Sequence, residues 1–205
     1  MTKVTSQLTV SLDGYTAGPD QSEALPLGVG GERLHEWYMG DVPRHPVDEA
    51  VAATLLDGNG AYVMGRNMFG PVRGEWTGDW RGWWGADPPY HAPVFVLTHH
   101  AREPLEMEGG TTFHFVTDGL EAAMARARAA AGPDRNVCIG GGASTVNQAL
   151  AAGLLDELYL HVAPILLGDG ARLFDGVGTD LALTPVETIH SPRATHVRYS
   201  ITSRA

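Results

Sequence analysis

The chain has 205 residues, 43% hydrophobic and 19% charged, with a formal net charge of −10 at pH 7. That composition supports a folded core rather than a disordered chain, and the acidic balance argues against a general nucleic-acid or anionic-membrane surface, which needs basic residues to neutralise phosphate. A single cysteine, Cys138, excludes an internal disulfide or a cysteine-ligated metal cluster, and the single lysine, Lys3, leaves no candidate for Schiff-base or P-loop chemistry.

Residues 4–12 read as a strand closed by the turn pair Asp13-Gly14. The opening residues lack the apolar core of a signal peptide, and no apolar run of about 18 residues occurs, so a soluble cytoplasmic protein is expected. Residues 18–31 are a Gly- and Pro-rich loop, and residues 32–39, bearing Leu34, Trp37 and Tyr38, suit a short helix. Residues 46–56 predict a firmer helix, because Pro46 fits a first turn, Asp48 and Glu49 favour its positive end and Gly58 suits its stop. Residues 61–64 form a short strand broken by Gly65. Residues 70–92 have no periodicity but hold four tryptophans. Strands follow at 93–98 and 111–116, then an alanine-rich helix at 119–131, a buried strand at 136–139, a helix at 144–152, a long strand at 157–167 and a final strand at 194–202. Strands alternating with helices predict one α/β domain over residues 1–205: a mixed, mostly parallel sheet flanked by helices on both faces. No helical pattern separates the last two strands, which predicts an antiparallel C-terminal edge.

The sharpest chemical signal is VCIGGGASTVNQAL at 137–150, a buried strand running through Gly140, Gly141 and Gly142 into a helix. Glycines let backbone approach a ligand, and the amides at a helix start attract a pyrophosphate. Ile139, Ala143, Ser144 and Thr145 frame that approach. The spacing is neither that of a dinucleotide G-x-G-x-x-G nor of a P-loop, and a tight turn with an ordinary cap would look the same. Two further strand ends suit the same ligand. Gly65, Arg66, Asn67 and Met68 follow one strand, and the Arg66 guanidinium offers a planar fork of donors for phosphate or for a surface salt bridge. Thr98 and His99 follow another, where the alternative is a solvated loop. The adjacent His99 and His100 point apart, so no metal site is expected.

Asp13 is a candidate proton donor, or else an ordinary Asp-Gly turn residue. The segment 70–92 is either one wall of an aromatic substrate pocket, with Trp76 and Trp80 as contacts, or a satellite hydrophobic cluster. Cys138 reads as a small core residue.

These segments together resemble the dihydrofolate-reductase-like superfamily, in the branch of the riboflavin-biosynthesis reductase. The matching pieces are SLDGYTAG at 11–18, VMGRNMFG at 63–70, VFVLTHH at 94–100, VCIGGGASTVNQAL at 137–150 and LLDELYLHVAPILLGDGARLF at 154–174. The resemblance implies that fold and an NADPH cofactor. Ala17 would lie by the nicotinamide, Gly65 to Met68 by the phosphates with Arg66 near the 2′-phosphate, Thr98 and His99 by the adenosine, and Gly140 to Thr145 by the pyrophosphate. It implies hydride transfer to a C=N or C=O bond of a small heterocycle, pteridine- or pyrimidine-like. A non-catalytic nucleotide-binding protein of the same fold is the alternative. Folate reductases place a buried acid on the helix after the first loop; Glu36, with Glu32, stands in that region without a firm match. The resemblance allows a homodimer, whose interface no segment marks.

Overall fold

The computed structural model describes residues 2–40 and 43–203. β1 (Val4–Ser11) and β2 (Tyr15–Ala17) flank the Asp13-Gly14 turn, where Gly14 takes a φ of 92°. The helix expected over 32–39 forms only as a 3-10 turn, Gly31–His35, burying Leu34. α1 (Pro46–Ala52) starts as its proline and acids predict but stops after seven residues. β3 (Asn59–Gly65) runs straight into α2 (Arg66–Phe69), a four-residue turn too short to show a sequence period. β4 (Pro93–Leu97), β5 (Leu105–Glu106), β6 (Thr112–Val116) and α3 (Gly119–Ala131) follow. Next come β7 (Asn136–Gly141), α4 (Ala143–Ala151) and β8 (Glu157–Ala163). β8 ends short of residue 167 because Pro164 brings no N–H to a ladder. β9 (Ala171–Arg172), β10 (Leu181–His190) and β11 (Thr195–Ser203) complete the chain.

Among the described residues, nine strands form one sheet in the order β10-β11-β8-β1-β7-β3-β4-β6-β5, and β2 pairs with β9 in a small antiparallel sheet. The six strands from β8 to β6 are mutually parallel. β11 pairs antiparallel with β8, as expected of the last two strands read in the sequence; β10, which the sequence does not announce, extends that edge, and β5 adds a second antiparallel edge at the far side. Alternate residues divide two cores. Ala61 and Val63 join Val4, Leu8, Val146 and Leu150 under α3 and α4. Tyr62 and Met64 face the other way, with Phe69 of α2, Val94, Val96, Phe113 and, from residues 70–92, Trp76, Trp80 and Trp84. Helices therefore lie on both faces, as the alternation of elements predicts. Among the described residues, no helix is long and apolar enough to cross a membrane.

Candidate functional site

Neighbouring strands β7, β3 and β4 end side by side. Gly65 pairs with Leu97 and Met64 with Gly141, so the breaks after β3, β4 and β7 stand level at the carboxyl edge of the sheet. Ligands of parallel sheets gather at that edge. The three separate sequence signals thus share one place.

Arg66 opens α2 and turns toward β4. Its Nη1 donates to Thr98 Oγ1 at 3.3 Å, and its guanidinium lies 3.7 Å from the centre of the Trp76 ring. Arg102 stacks at 5.0 Å from the same ring. Trp76 is itself fixed by an Nε1–H donated to the His100 carbonyl at 2.8 Å. The Nε and Nη2 groups of Arg66 are buried without a partner. Burial, helped by Arg73 and Arg102, pulls the Arg66 pKa below the usual guanidinium value. An arginine held flat, with two N–H groups unspent and two cations nearby, has the planar donor set that phosphate oxygens accept from.

The glycine run supplies the second half. The peptide between Gly141 and Gly142 is cis, and Gly141 takes a φ of 127°. Gly142 caps α4 without any side-chain hydrogen bond, and a Cβ on it would meet nothing within 4 Å. Open space therefore lies beside Gly142 at the start of α4, and a helix terminus favours an anion. Ser144 does not cap the helix; its Oγ accepts from Gln148 Nε2 at 3.2 Å. Thr145 is buried against β3, so that a Cβ on Gly65 would stand 2.7 Å from its Oγ1. Met68 packs over Gly140 and Gly141, and Ile139 and Ala143 are buried beneath them. Asn67 and His99 stay exposed at the rim.

Asp13 has another task. Its carboxylate accepts from Ser11 Oγ at 2.6 Å and from the amides of Leu167 and Gly168, which holds its pKa down at about 2. These contacts tie the loop after β8 to the first turn and favour the carboxylate form. Ala17 is buried beside β9. Trp80 donates to the Phe69 carbonyl at 3.0 Å, so Trp76 and Trp80 lie on the β3–β4 side, three strands from the Asp13 turn. Glu36 is exposed, and its carbonyl accepts from Arg193 Nη1 at 3.3 Å.

The buried acid is Asp48. Fully enclosed at the start of α1, it accepts from Ser191 Oγ at 2.9 Å and meets His196 Nε2 at 2.9 Å. His196 Nδ1 lies 2.8 Å from His161 Nδ1. Sequence reasoning takes Asp48 for a helix-start charge. The one available signal is a histidine at an inward position of the apolar strand ELYLHVA. Among the described residues, no group of three or more His, Cys, Asp or Glu side chains is placed to hold a metal.

Comparison with known proteins gives a family and a fold. The model of the RibD C-terminal domain matches residues 2–197. No curated protein matches the chain significantly. A crystal structure from Shewanella sp. PV-4, described as "Putative riboflavin biosynthesis protein", superposes with a TM-score of 0.68 at 24% identity, covering 98% of this chain and 99% of that one. A pyrimidine reductase-like protein from Corynebacterium diphtheriae superposes with a TM-score of 0.58 at 17% identity, covering 98% and 92%. Acinetobacter baumannii RibD superposes with a TM-score of 0.59 at 16% identity; 98% of this chain is covered, but only 58% of RibD.

Proposed function

The chain belongs to the RibD C-terminal domain family, and from that premise we propose that it is an NADPH-dependent reductase of a small heterocyclic C=N or C=O substrate, pteridine- or pyrimidine-like. The observation that carries the cofactor is Arg66: a guanidinium backed by Trp76, with two buried N–H groups unpaired, level with an uncapped helix start across one strand end. The spacing suits a dinucleotide whose pyrophosphate meets Gly142 and the first amides of α4 and whose 2′-phosphate meets Arg66. Thr98 would steady Arg66, and Met68 would press on the glycines from above. When bound, NADPH supplies the hydride; the protein supplies orientation and electrostatics. The family and the reductase-like neighbour support the reaction class.

Fluorescence titration with NADPH and NADH tests the reading. NADPH is expected to bind at micromolar concentrations and NADH more weakly. Arg66→Ala removes charge-assisted hydrogen bonds of about 1.5–3 kcal/mol in total, so NADPH affinity is expected to drop roughly 10- to 100-fold. NADH affinity should hardly change. Equal losses for both cofactors would place the 2′-phosphate elsewhere, and no binding of either below millimolar would remove the reductase.

A further inference from the structure

Asp48, His196 and His161 form a continuous buried row on the face of the sheet opposite α3 and α4. They come from three elements: α1, β11 and β8. His161 and His196 are 2% and 5% exposed, and Asp48 is fully buried. The Trp37 ring covers both imidazoles, with centroids 4.7 and 4.8 Å away, and its Nε1 donates to Thr9 Oγ1 at 3.1 Å. The row ends at His161 Nε2, which is buried and has no partner. His35 Nδ1 is likewise unpaired, and His35 is close enough to repel a charge on His161.

With Asp48 taken as a carboxylate, one arrangement of protons satisfies every contact along the row. An ionised Asp48 only accepts, so His196 carries a proton on Nε2. One proton alone fits between the two facing Nδ1 atoms. With His196 neutral, that proton belongs to His161, and His161 Nε2 is a bare acceptor. Adding one proton makes His196 an imidazolium held between Asp48 and His161. His161 then accepts at Nδ1 and carries its own proton on Nε2. A single proton thus turns the terminal nitrogen from acceptor to donor. Burial, with repulsion from His196 and His35, lowers the His161 pKa to about 3. The other titratable neighbour, Tyr38, has its pKa raised by burial.

The row also lies at the reactive edge. Thr9 of β1 pairs with His161, and β1 adjoins β7. Gly141 faces Leu8 across that junction, so His161 stands one residue further toward the carboxyl edge, two strands or about 10 Å from the glycine run.

We propose that this row is the proton source of the reduction, with His161 Nε2 as the atom that protonates the substrate and His196 and Asp48 as its supply. The proposal rests on the reductase reading. As the substrate carbon of a C=N or C=O bond accepts hydride and NADPH is oxidised to NADP⁺, the neighbouring nitrogen or oxygen gains the π electron pair. It takes the proton from His161 Nε2. The Nε2–H bond breaks, the proton on His196 Nδ1 crosses to His161 Nδ1, and His196 is left neutral beside Asp48. Solvent restores one proton to the row. His161 is the catalytic residue here; His196 and Asp48 position and recharge it.

The test uses the full chain with bound NADP⁺. In ¹⁵N-histidine NMR across pH 5 to 9, His161 and His196 are expected to change tautomer and charge in one coupled step. Asp48→Asn should remove that step or move it to lower pH. Independent titration of the two rings, or no change in either, overturns the relay. NADPH consumption is then followed with pteridine and pyrimidine carbonyl compounds. His161→Gln is expected to lower turnover at least 100-fold, within the range of general acid catalysis. Its NADPH affinity should stay within twofold and its cooperative melting should persist. Asp48→Asn should shift the alkaline limb of the turnover profile downward, which a merely structural role would not do. If NADPH binds but no compound consumes it, the reductase reading falls and the relay with it. If turnover is found and His161→Gln keeps it within twofold, the relay alone falls.

Discussion

Gly65 carries two duties in one backbone position. It ends β3 and lets the first turn of α4 close over it, since a Cβ would stand 2.7 Å from Thr145 Oγ1. Gly65→Ala overpacks that contact and is expected to cost about 1–3 kcal/mol. Removing the hydroxyl with Thr145→Ala in the same chain should recover part of the loss, because the two residues touch and their effects do not add. Thermal or urea unfolding of the two single variants and the double variant checks this; strictly additive losses would show that the contact is not the cause. Residues of this kind are legible in sequence. A glycine at a strand end, a glycine run before a helix and an arginine one residue on all advertise themselves locally. Asp48 does not. Its partner His196 lies 148 positions away, and each looks ordinary in its own neighbourhood. The partners of Asp13 are hidden for the same reason: its amide donors are 154 and 155 positions distant.

The tryptophan segment behaves as two pieces. Trp84 packs edge-on against Tyr90 at 5.1 Å and stacks with Phe113 at 6.0 Å, while Trp80 and Trp83 meet at 4.5 Å. That part is a hydrophobic cluster covering β4 and β6. Trp76 is different, because it stands between two guanidinium groups and donates to the chain after β4. Trp84→Ala should lower stability by about 2–4 kcal/mol, less than a fully buried tryptophan because the ring is partly exposed. It should leave NADPH affinity unchanged. Trp76→Ala loses a cation–π support of about 0.5–2 kcal/mol under Arg66, so NADPH should bind roughly 2- to 30-fold more weakly, with a smaller drop in stability. Melting and cofactor titration on the same two proteins separate the roles; a large affinity loss in Trp84→Ala would merge them. Composition shows that such a segment packs, but which ring meets which cation is decided by strand order, which no local pattern encodes. β10 escapes the sequence for a complementary reason. It is an exposed edge strand, interrupted at Pro185 by a register shift, so it has neither apolar alternation nor a hydrogen-bonding need for its outer face.

At the scale of the molecule, two opposing effects meet as pH falls. The chain carries a net charge of −10 and a sequence pI near 5.2, so mild acid relieves self-repulsion and favours the compact state. Against this, burial holds His35 at a pKa of about 4 and His161 at about 3, below the ordinary value of 6.5. Between roughly pH 3 and 6.5 the unfolded chain therefore binds more protons at these sites than the folded one. Stability from this source is present above pH 6.5 and is lost as pH falls below it. Each such histidine adds up to about 1.4 kcal/mol per pH unit, a few kcal/mol across the window. Asp13, with its pKa lowered to about 2, adds its own loss only below the unfolded value of 3.8. We expect the unfolding free energy to drop between pH 7 and pH 5, with a shallower drop in His161→Gln. Urea unfolding at fixed ionic strength measures both slopes. A wild-type protein more stable at pH 5 than at pH 7 would mean that charge relief dominates. Parallel slopes for the two proteins would mean that His161 is not held neutral by its burial.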